Sequence, residues 1–274
     1  MNDRECVRFL QDFLPGLHLR WPGFRRVRRQ VCKRVQRRCL ELALSDVQAY
    51  RGHLAAHPAE WSVLDGLCRI TISRFYRDRA VFACLERIVF PELIRSLRGP
   101  GEQALRIWSA GCASGEEPGS LALMWEFSLA LLFPGIKLHI LATDADAAML
   151  RRAREGCYSL SSLRELPARW REQAFRMNNG GYCLRSRYRK AINIVSHDVR
   201  QGIPDGPFHL LLCRNLVFTY FDEQLACDLG CGFWQGLQPG GGLVIGAHEQ
   251  LPVALHGFEP WRPCRAIYRR MPAG

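Results

Sequence analysis

Hydrophobic residues in the first part of the chain recur at the spacing of a helix. Val27, Val31 and Val35 lie four residues apart, which predicts an amphipathic helix over residues 24–42 with one apolar stripe. Similar patterns predict helices over residues 6–13, 45–53, 60–70 and 80–89. Residues 1–88 are therefore predicted to form a small all-helical N-terminal domain.

From residue 105 onward, short apolar runs alternate with helical patterns. The runs at 105–108, 138–142 and 208–213 have the length and composition of buried strands. Further strands are predicted at 182–185, 191–196, 243–247 and 266–269, and helices at 117–132, 145–155, 167–175 and 222–237. This alternation predicts an α/β domain over residues 89–274, with a doubly wound, mostly parallel sheet covered on both faces.

The turn after the first predicted strand consists of small residues, from Ser109 to Gly115. Such a turn lets a ligand approach the backbone closely, as in nucleotide sites. It contains neither the glycine pattern of a dinucleotide site nor that of a P-loop. Glu116 and Glu117 follow where a phosphate would otherwise lie, so the turn favours a cationic ligand such as S-adenosylmethionine. The alternative is that both carboxylates only complement the helix dipole.

Polar residues also follow the other predicted strands. Asp144, His197–Asp198 and Arg214–Asn215 stand where the carboxyl ends of parallel strands meet and ligands bind. A carboxylate after the second strand is the usual partner of a ribose, so Asp144 is the ribose candidate. Asp144 could instead be an ordinary helix cap. Several polar strand ends in matching positions nevertheless indicate one site.

Composition indicates a soluble protein of ordinary globular type. The chain has 274 residues, of which 48% are hydrophobic and 23% charged, and its apolar runs are far shorter than a membrane span. The charged N-terminus has no apolar signal core, which favours a cytoplasmic location. The twelve cysteines are scattered through apolar segments, so we expect reduced, buried thiols rather than disulfides.

The formal net charge of +12 is unevenly distributed. Eight arginines and lysines fall between Arg25 and Arg38, within the predicted helix over 24–42. Such a density of like charge favours an acidic partner, either nucleic acid, anionic lipid or an acidic protein surface. A solvated helix face is the simpler alternative.

Several segments of the chain together resemble one known family. They are Ser73–Asp78, Trp108–Pro118, Ala142–Asp144, Cys213–Asn215 with Tyr220–Asp222, and Pro239–Gly241. In combination they resemble the chemotaxis-receptor methyltransferases, the CheR-type enzymes, which are protein-glutamate O-methyltransferases that use S-adenosylmethionine to methylate glutamate side chains of chemoreceptors. The segments occur in the family's order and cover nearly the whole chain.

The resemblance implies roles for matched residues, and no metal. Arg77, Arg214 and Tyr220 would be catalytic; we expect Arg77 to orient the acceptor carboxylate and Tyr220 to close the pocket. The residues implied to bind S-adenosyl-L-methionine, or its product S-adenosyl-L-homocysteine, are Thr71, Ser73, Arg77, Gly111, Ala113, Glu117, Asp144, Asp198, Val199, Arg214 and Asn215.

The resemblance also implies partners. The basic helix over 24–42 matches the helix that recognises an acidic receptor surface, and residues 172–190 match a small antiparallel insert that docks receptors. We expect a monomer without membrane insertion. The sequence departs from the family at Gly119 and His209, where tyrosine and aspartate are usual, and has one extra residue before Tyr220.

Two other classes of function stay open at this point. The charge suggests a nucleic-acid methyltransferase, although no aromatic residues interleave the arginines to stack on bases. A non-catalytic regulator that binds S-adenosylmethionine is the second. Steep salt dependence of nucleic-acid binding would favour the first, and donor binding without methyl transfer would favour the second.

Overall fold

A computed structural model describes residues 2–97, 104–178 and 180–272. The chain divides into two compact units. The first comprises Met1–Ile70 with Thr219–Ala226, and the second comprises Thr71–Phe218 with Cys227–Gly274. The division at Ile70 precedes the predicted boundary at residue 88, because the helix that follows Asp78 belongs to the second unit.

The helical N-terminal region is confirmed. Its helices are α1 (Asp3–Phe13), α2 (Trp21–Phe24), α3 (Arg28–Glu41), α4 (Val47–Ala56) and α5 (Glu60–Cys68). Val31, Val35 and Cys39 form the buried stripe of α3, which is the helical spacing that the sequence predicts. The charged residues of α3 consequently lie on its other faces.

A polar network is buried between helices of the first unit. The side chain of Glu60 is 6% exposed, and it accepts hydrogen bonds from Arg38 at 2.8 and 2.9 Å and from the Tyr50 hydroxyl at 2.9 Å. The hydrogen bonds from Arg38 hold the pKa of Glu60 below its ordinary value of 4.5. Burial raises the pKa of Tyr50, so its phenol stays a donor. Arg38 therefore has a structural role in this network.

We expect Glu60→Gln to lower the free energy of unfolding by about 1.5–3 kcal/mol at pH 7, because charged hydrogen bonds are lost. A carboxyl with a lowered folded-state pKa stabilises the fold above its unfolded-state pKa and loses that effect as the pH falls through the folded-state value. Thermal unfolding should thus show a larger wild-type advantage at pH 7 than at pH 3. Glu41→Gln, at a carboxylate that is 51% exposed, is the control with a small effect at both pH values. An equal wild-type advantage at pH 3 would contradict the prediction.

A segment remote in sequence completes the first unit. Leu19 and Phe221 form an antiparallel bridge, and the main-chain nitrogen of Arg20 donates to the main-chain oxygen of Tyr220 at 2.8 Å. His18 Nδ1 lies 3.1 Å from Asp222 Oδ2. The sequence pattern assigns residues 220–222 to the α/β domain, because periodicity along the chain carries no information on such long-range pairing.

A seven-stranded sheet forms the centre of the second unit. Its strand order is β6-β2-β1-β7-β8-β10-β9. The strands are β1 (Ala104–Ala110), β2 (Lys137–Asp144), β6 (Ile192–Ser196), β7 (Phe208–Leu212), β8 (Leu237–Val244), β9 (Phe258–Pro260) and β10 (Ile267–Arg270). The strands from β6 to β8 pair in parallel, and β10 pairs antiparallel with β8 and β9. The predicted mostly parallel sheet is confirmed.

Helices connect these strands. They are α6 (Arg79–Cys84), α7 (Phe90–Ser96), α8 (Glu116–Met124), α9 (Ala147–Glu155), α10 (Ala168–Ala174), α11 (Val217–Tyr220) and α12 (Glu223–Gly236). None of the helices in the described part of the chain is long and apolar enough to cross a membrane. The parallel arrangement brings the residues after β1, β2, β6 and β7 to one edge of the sheet.

A small antiparallel sheet accompanies the large one. It consists of β3 (Cys157–Tyr158), β4 (Phe175–Asn178) and β5 (Gly181–Leu184), in the order β3-β5-β4. This agrees with the predicted insert at 172–190, although β3 lies outside those residues. Within this insert, Asn179 lies outside the described residues.

The start of β8 differs from the prediction. Pro239–Gly242 is predicted to end a helix before a strand at 243–247, yet β8 begins already at Leu237. The pairing of β7 with β8 shifts register between Phe208 and Leu210, which accommodates these residues in the ladder as a bulge. Glycine in a strand commonly marks such an irregularity, and this explains why the sequence pattern suggests a loop.

The expectation of reduced cysteines is wrong for six of them. Among the described residues, disulfides join Cys6 to Cys32, Cys84 to Cys264, and Cys157 to Cys183. The bonded partners are 26 or 180 positions apart in sequence, so their spacing carried no recognisable signal. Cys39, Cys68, Cys112 and Cys213 are free and buried, as expected of small hydrophobic residues.

Candidate active site

The turn between β1 and α8 has room only for small side chains. Gly111 and Gly115 have φ angles of +76° and +89°, in the left-handed region that favours glycine. A Cβ on Gly111 would lie 2.6 Å from Leu216, and one on Gly115 would lie 3.1 Å from Ala153. The main-chain nitrogens of Gly111 and Cys112 both donate to Thr143 O at 2.8 Å. The turn is thus fixed against the end of β2.

Asp144 connects the turn to the second strand. Its Oδ2 accepts from the main-chain nitrogen of Ala113 at 2.8 Å, and its Oδ1 accepts from that of Asp146 at 2.8 Å. Ala113 has a φ of +48°, which is uncommon for a residue with a Cβ, and the bond to Asp144 supports it there. A carboxylate has about four lone-pair sites, so each oxygen can accept a further hydrogen bond. Asp144 can therefore shape the turn and still hold two ribose hydroxyls.

The two glutamates that begin α8 have different surroundings. Glu116 is 2% exposed and accepts from the Ser114 hydroxyl at 2.9 and 3.0 Å. Glu117 accepts from the Ser109 hydroxyl at 2.7 Å and from Arg214 Nη1 at 3.1 Å. Glu117 is a predicted donor-binding residue, and these side-chain contacts hold it in a defined place, which complementing the helix dipole alone would not require.

The segment leading to Arg77 is held by its backbone. Tyr76 and Asp78 have φ angles of +55° and +65°, and the main-chain nitrogen of Tyr76 donates a hydrogen bond to Ser120 Oγ at 2.9 Å. Arg214 Nη2 donates to the main-chain oxygen of Arg77 at 2.8 Å and to Asp78 Oδ2 at 2.7 Å. The backbone of Arg77 is thereby fixed without help from its own side chain.

The side chain of Arg77 binds the backbone between the other two predicted residues of this segment. Its Nη1 donates to Ile72 O at 2.7 Å, and Thr71 and Ser73 are half-buried beside it in the sequence. Phe75 is fully buried, and a Cβ on Gly119 would lie 2.7 Å from its ring. The ring occupies the space beside Gly119, which explains why a large residue does not fit at that position.

The end of β6 presents Asp198 and Val199. Asp198 accepts from Arg200 Nη2 at 2.7 Å and Nε at 3.0 Å, and it caps a 3₁₀ turn, Val199–Gln201. Val199 is buried. The main-chain nitrogen of His197 donates to Asp144 O at 3.2 Å, so this strand end lies next to the predicted ribose site.

The end of β7 presents Arg214 and Asn215. Asn215 has a φ of +55°, and its main-chain nitrogen donates to Glu249 Oε2 at 2.9 Å. Gly246 donates to the same oxygen. Tyr220, the remaining predicted catalytic residue, belongs to the first unit, where its ring lies 5.0 Å from Phe24. Its catalytic role stays a prediction.

The sequence did not identify three side chains that shape this site. Asp78 and Ser109 contact Arg214 and Glu117, and Glu249 fixes Asn215. Asp78 and Ser109 stood inside recognised segments, whereas no pattern pointed to Glu249. A thiol within the turn is no candidate nucleophile, because burial and then Asp144 raise the pKa of Cys112.

The site has the features required by a donor that carries an ammonium, a sulfonium and a ribose. The carboxylates of Glu117 and Asp144 are ordered by hydrogen bonds, and they border a turn that only small residues can form. The described residues contain no group of three or more histidine, cysteine, aspartate or glutamate side chains that could hold a metal ion. Residues that we predict from the sequence thus assemble into a polar site at the carboxyl edge of the sheet.

Known proteins provide an independent comparison. A family model for the CheR methyltransferase, SAM binding domain, matches residues 71–263, which include all the predicted site residues. Chemotaxis protein methyltransferases of Listeria monocytogenes serovar 1/2a and Listeria innocua serovar 6a are 38% and 39% identical over 186 residues, or 68% of this chain and 67% of each relative. A probable biofilm formation methyltransferase of Pseudomonas aeruginosa is 30% identical over 245 residues, or 86% of this chain and 55% of that protein.

Proposed function

The chain belongs to the CheR methyltransferase family, and we propose that this S-adenosylmethionine-dependent enzyme methylates glutamate side chains of a receptor-like protein. The observation that carries the proposal is the fixed position of Arg77. Its main-chain oxygen and the carboxylate of Glu117 bind the same guanidinium, that of Arg214. A residue suited to hold an acceptor carboxylate therefore lies beside the predicted donor site.

When bound, S-adenosylmethionine supplies a methyl group on its sulfonium sulfur, and this methyl group is readily transferred to a nucleophile. Within the proposal, Asp144 holds the ribose and Glu117 holds the ammonium, while Gly111 and Ala113 form the floor on which the donor lies. Asp198 and Val199 flank the adenine. Asn215 lines the transfer pocket, with Thr71 and Ser73 near the methionine end.

The acceptor needs alignment more than proton transfer. A glutamate side chain has a pKa of about 4.3, so it is ionised near neutral pH and needs no general base. Arg77 suits the task because a guanidinium holds a carboxylate by two parallel hydrogen bonds and cannot lose its proton. The enzyme must also align the acceptor oxygen with the methyl group and the sulfur of the donor, and exclude water from between them.

Base-labile methyl transfer tests the reaction. We expect the protein, incubated with radiolabelled S-adenosylmethionine and membranes of its source organism, to introduce label that is lost at high pH, because methyl esters hydrolyse in base. Label on nucleic acid, or label that survives base, would contradict a carboxylate acceptor. Donor binding without any transfer would instead indicate a non-catalytic regulator.

The acceptor surface that we propose contains acidic residues, because the outer face of α3 is basic. Arg28, Arg34 and Arg38 are engaged within the first unit, by Asp3, by the main-chain oxygens of Leu67 and Arg69, and by Glu60. The exposed residues Arg29, Lys33 and Arg37 lie four apart on α3. They form a row about 12 Å long, which we call the basic row.

We expect Arg29→Glu/Lys33→Glu to slow base-labile labelling about tenfold at low salt, because two attractive charges become repulsive. The affinity for S-adenosylhomocysteine should stay unchanged. Arg262→Glu/Arg265→Glu makes the same change in charge at exposed residues far along the chain, and it should label at the wild-type rate. Equal slowing in both variants would show that only net charge matters. The proposed enzyme is cytoplasmic and meets its receptors at a membrane surface, and the predicted result fits that setting.

A further inference from the structure

One buried guanidinium connects three segments of the second unit. Arg214 follows β7, and its side chain is 3% exposed. Nη1 donates to Glu117 Oε2 at 3.1 Å. Nη2 donates to Asp78 Oδ2 at 2.7 Å and to the main-chain oxygen of Arg77 at 2.8 Å. The first turn of α8 and the loop that carries Arg77 are therefore fixed to the same side chain.

The contacts of Arg214 require an arginine. A planar guanidinium can bond two carboxylates in different directions, whereas a lysine ammonium at the same place is a compact charge without that fork. The guanidinium also lies 5.5 Å from the centre of the Phe82 ring. Arg214, Asp78 and Glu117 together carry a formal charge of −1. This charge balances the net charge of +1 on the sulfonium donor.

We propose that Arg214 is a positioning residue. It holds Glu117 and the loop of Arg77 in fixed positions relative to each other, so that one side chain aligns the donor with the acceptor. The proposal rests on the proposed function, from which it takes the roles of Glu117 and Arg77. It assigns Arg214 no contact with the acceptor. Asp78 is assigned no contact with either substrate and is the second positioning residue, because it binds Arg214 Nη2 while Glu117 binds Nη1.

Donor affinity in the absence of any acceptor tests the proposal. Calorimetry with S-adenosylhomocysteine is applied to the whole chain carrying Asp78→Asn, Arg214→Lys, or both. We expect each single variant to weaken binding about tenfold, which corresponds to the loss of roughly one charged hydrogen bond. The double variant should bind no more weakly than Arg214→Lys alone, because Asp78 acts only through Arg214.

Arg79→Ala is the matched control. Arg79 is the neighbour of Asp78, is exposed, and donates to the main-chain oxygen of Glu165 at 2.9 and 3.1 Å. Its removal should leave donor affinity unchanged. Thermal unfolding without ligand shows whether each variant is folded. If Arg214→Lys does not fold, Asp78→Asn still tests the proposal.

Three results would overturn the positioning role. Asp78→Asn could leave the affinity for S-adenosylhomocysteine unchanged, the effects of the two substitutions could add fully, or Arg214→Lys could weaken only the acceptor KM. The last result would make Arg214 an acceptor-binding residue. Failure of the proposed function is separate, because a wild-type protein that binds S-adenosylhomocysteine but esterifies no carboxylate still allows the binding test.

Discussion

Replacing Arg77 by alanine is expected to abolish methyl transfer while the protein still binds S-adenosylhomocysteine. In the proposed mechanism Arg77 provides the two hydrogen bonds that orient the acceptor carboxylate. Loss of such alignment reduces the turnover rate by at least about a hundredfold. Arg77→Lys should rescue little, since an ammonium cannot form the same pair of parallel bonds.

The structure explains why donor binding should survive the Arg77 substitution. The backbone of its loop is held by Ser120 Oγ at Tyr76 and by Arg214 at the oxygen of Arg77, and neither bond uses the Arg77 side chain. The side-chain bond to Ile72 O is lost, which affects a half-exposed group. The loop should therefore keep its conformation.

Initial rates of base-labile labelling and calorimetry with S-adenosylhomocysteine measure the two effects separately. Arg79→Ala serves again as the control, with wild-type rate and affinity expected. Full activity of Arg77→Ala would remove the assignment of Arg77 to the acceptor. A parallel loss of rate and donor affinity would place Arg77 at the donor instead.

The second large effect is expected at Asp144. We expect Asp144→Asn to weaken binding of S-adenosylhomocysteine by about a hundredfold or more, because charged hydrogen bonds to two hydroxyls are lost or weakened. An asparagine also presents an NH₂ group to one of the two main-chain donors, Ala113 or Asp146, that the carboxylate satisfies. The turn that lies under the donor would shift as well.

Asp146→Asn is the control for Asp144→Asn. Asp146 Oδ1 accepts from the main-chain nitrogens of Ala148 and Met149, so it caps α9, and asparagine retains that oxygen. Its donor affinity should match the wild type. Calorimetry gives the dissociation constants, and thermal unfolding without ligand shows whether each variant is folded. Unchanged affinity in Asp144→Asn would show that the carboxylate holds no part of the donor.

The elements of the site that are local in sequence could be predicted from the sequence. The β1–α8 turn from Ser109 to Gly115 is short, its residues are small, and two of its three positive φ angles fall on glycine, at Gly111 and Gly115. Asp144 was assigned from its place after β2. Both predictions rest on interactions within one strand–turn–helix unit, where spacing along the chain determines spacing in the structure.

The carboxylates around Arg214 could not be assigned in this way. Asp78 and Glu117 are far from Arg214 in sequence, and any charged residue at a strand end could have been a surface ion pair. Only the folded chain shows that Arg214 is buried and bonded to both. The disulfides, including Cys84–Cys264, and the pairing of Leu19 with Phe221 could not be predicted either. In each case the two partners are far apart in sequence.

The sequence by itself determined most of the helices, the parallel strands β1, β2, β6 and β7, the small-residue turn and the charge of α3, because these depend on residue type and short-range period. Tertiary structure alone decided which arginines of α3 remain on the surface, which carboxylates share Arg214, and which cysteines meet. Those outcomes depend on contacts between segments that the fold brings together. Such contacts produce no periodic pattern of residues along the chain, so the sequence does not reveal them.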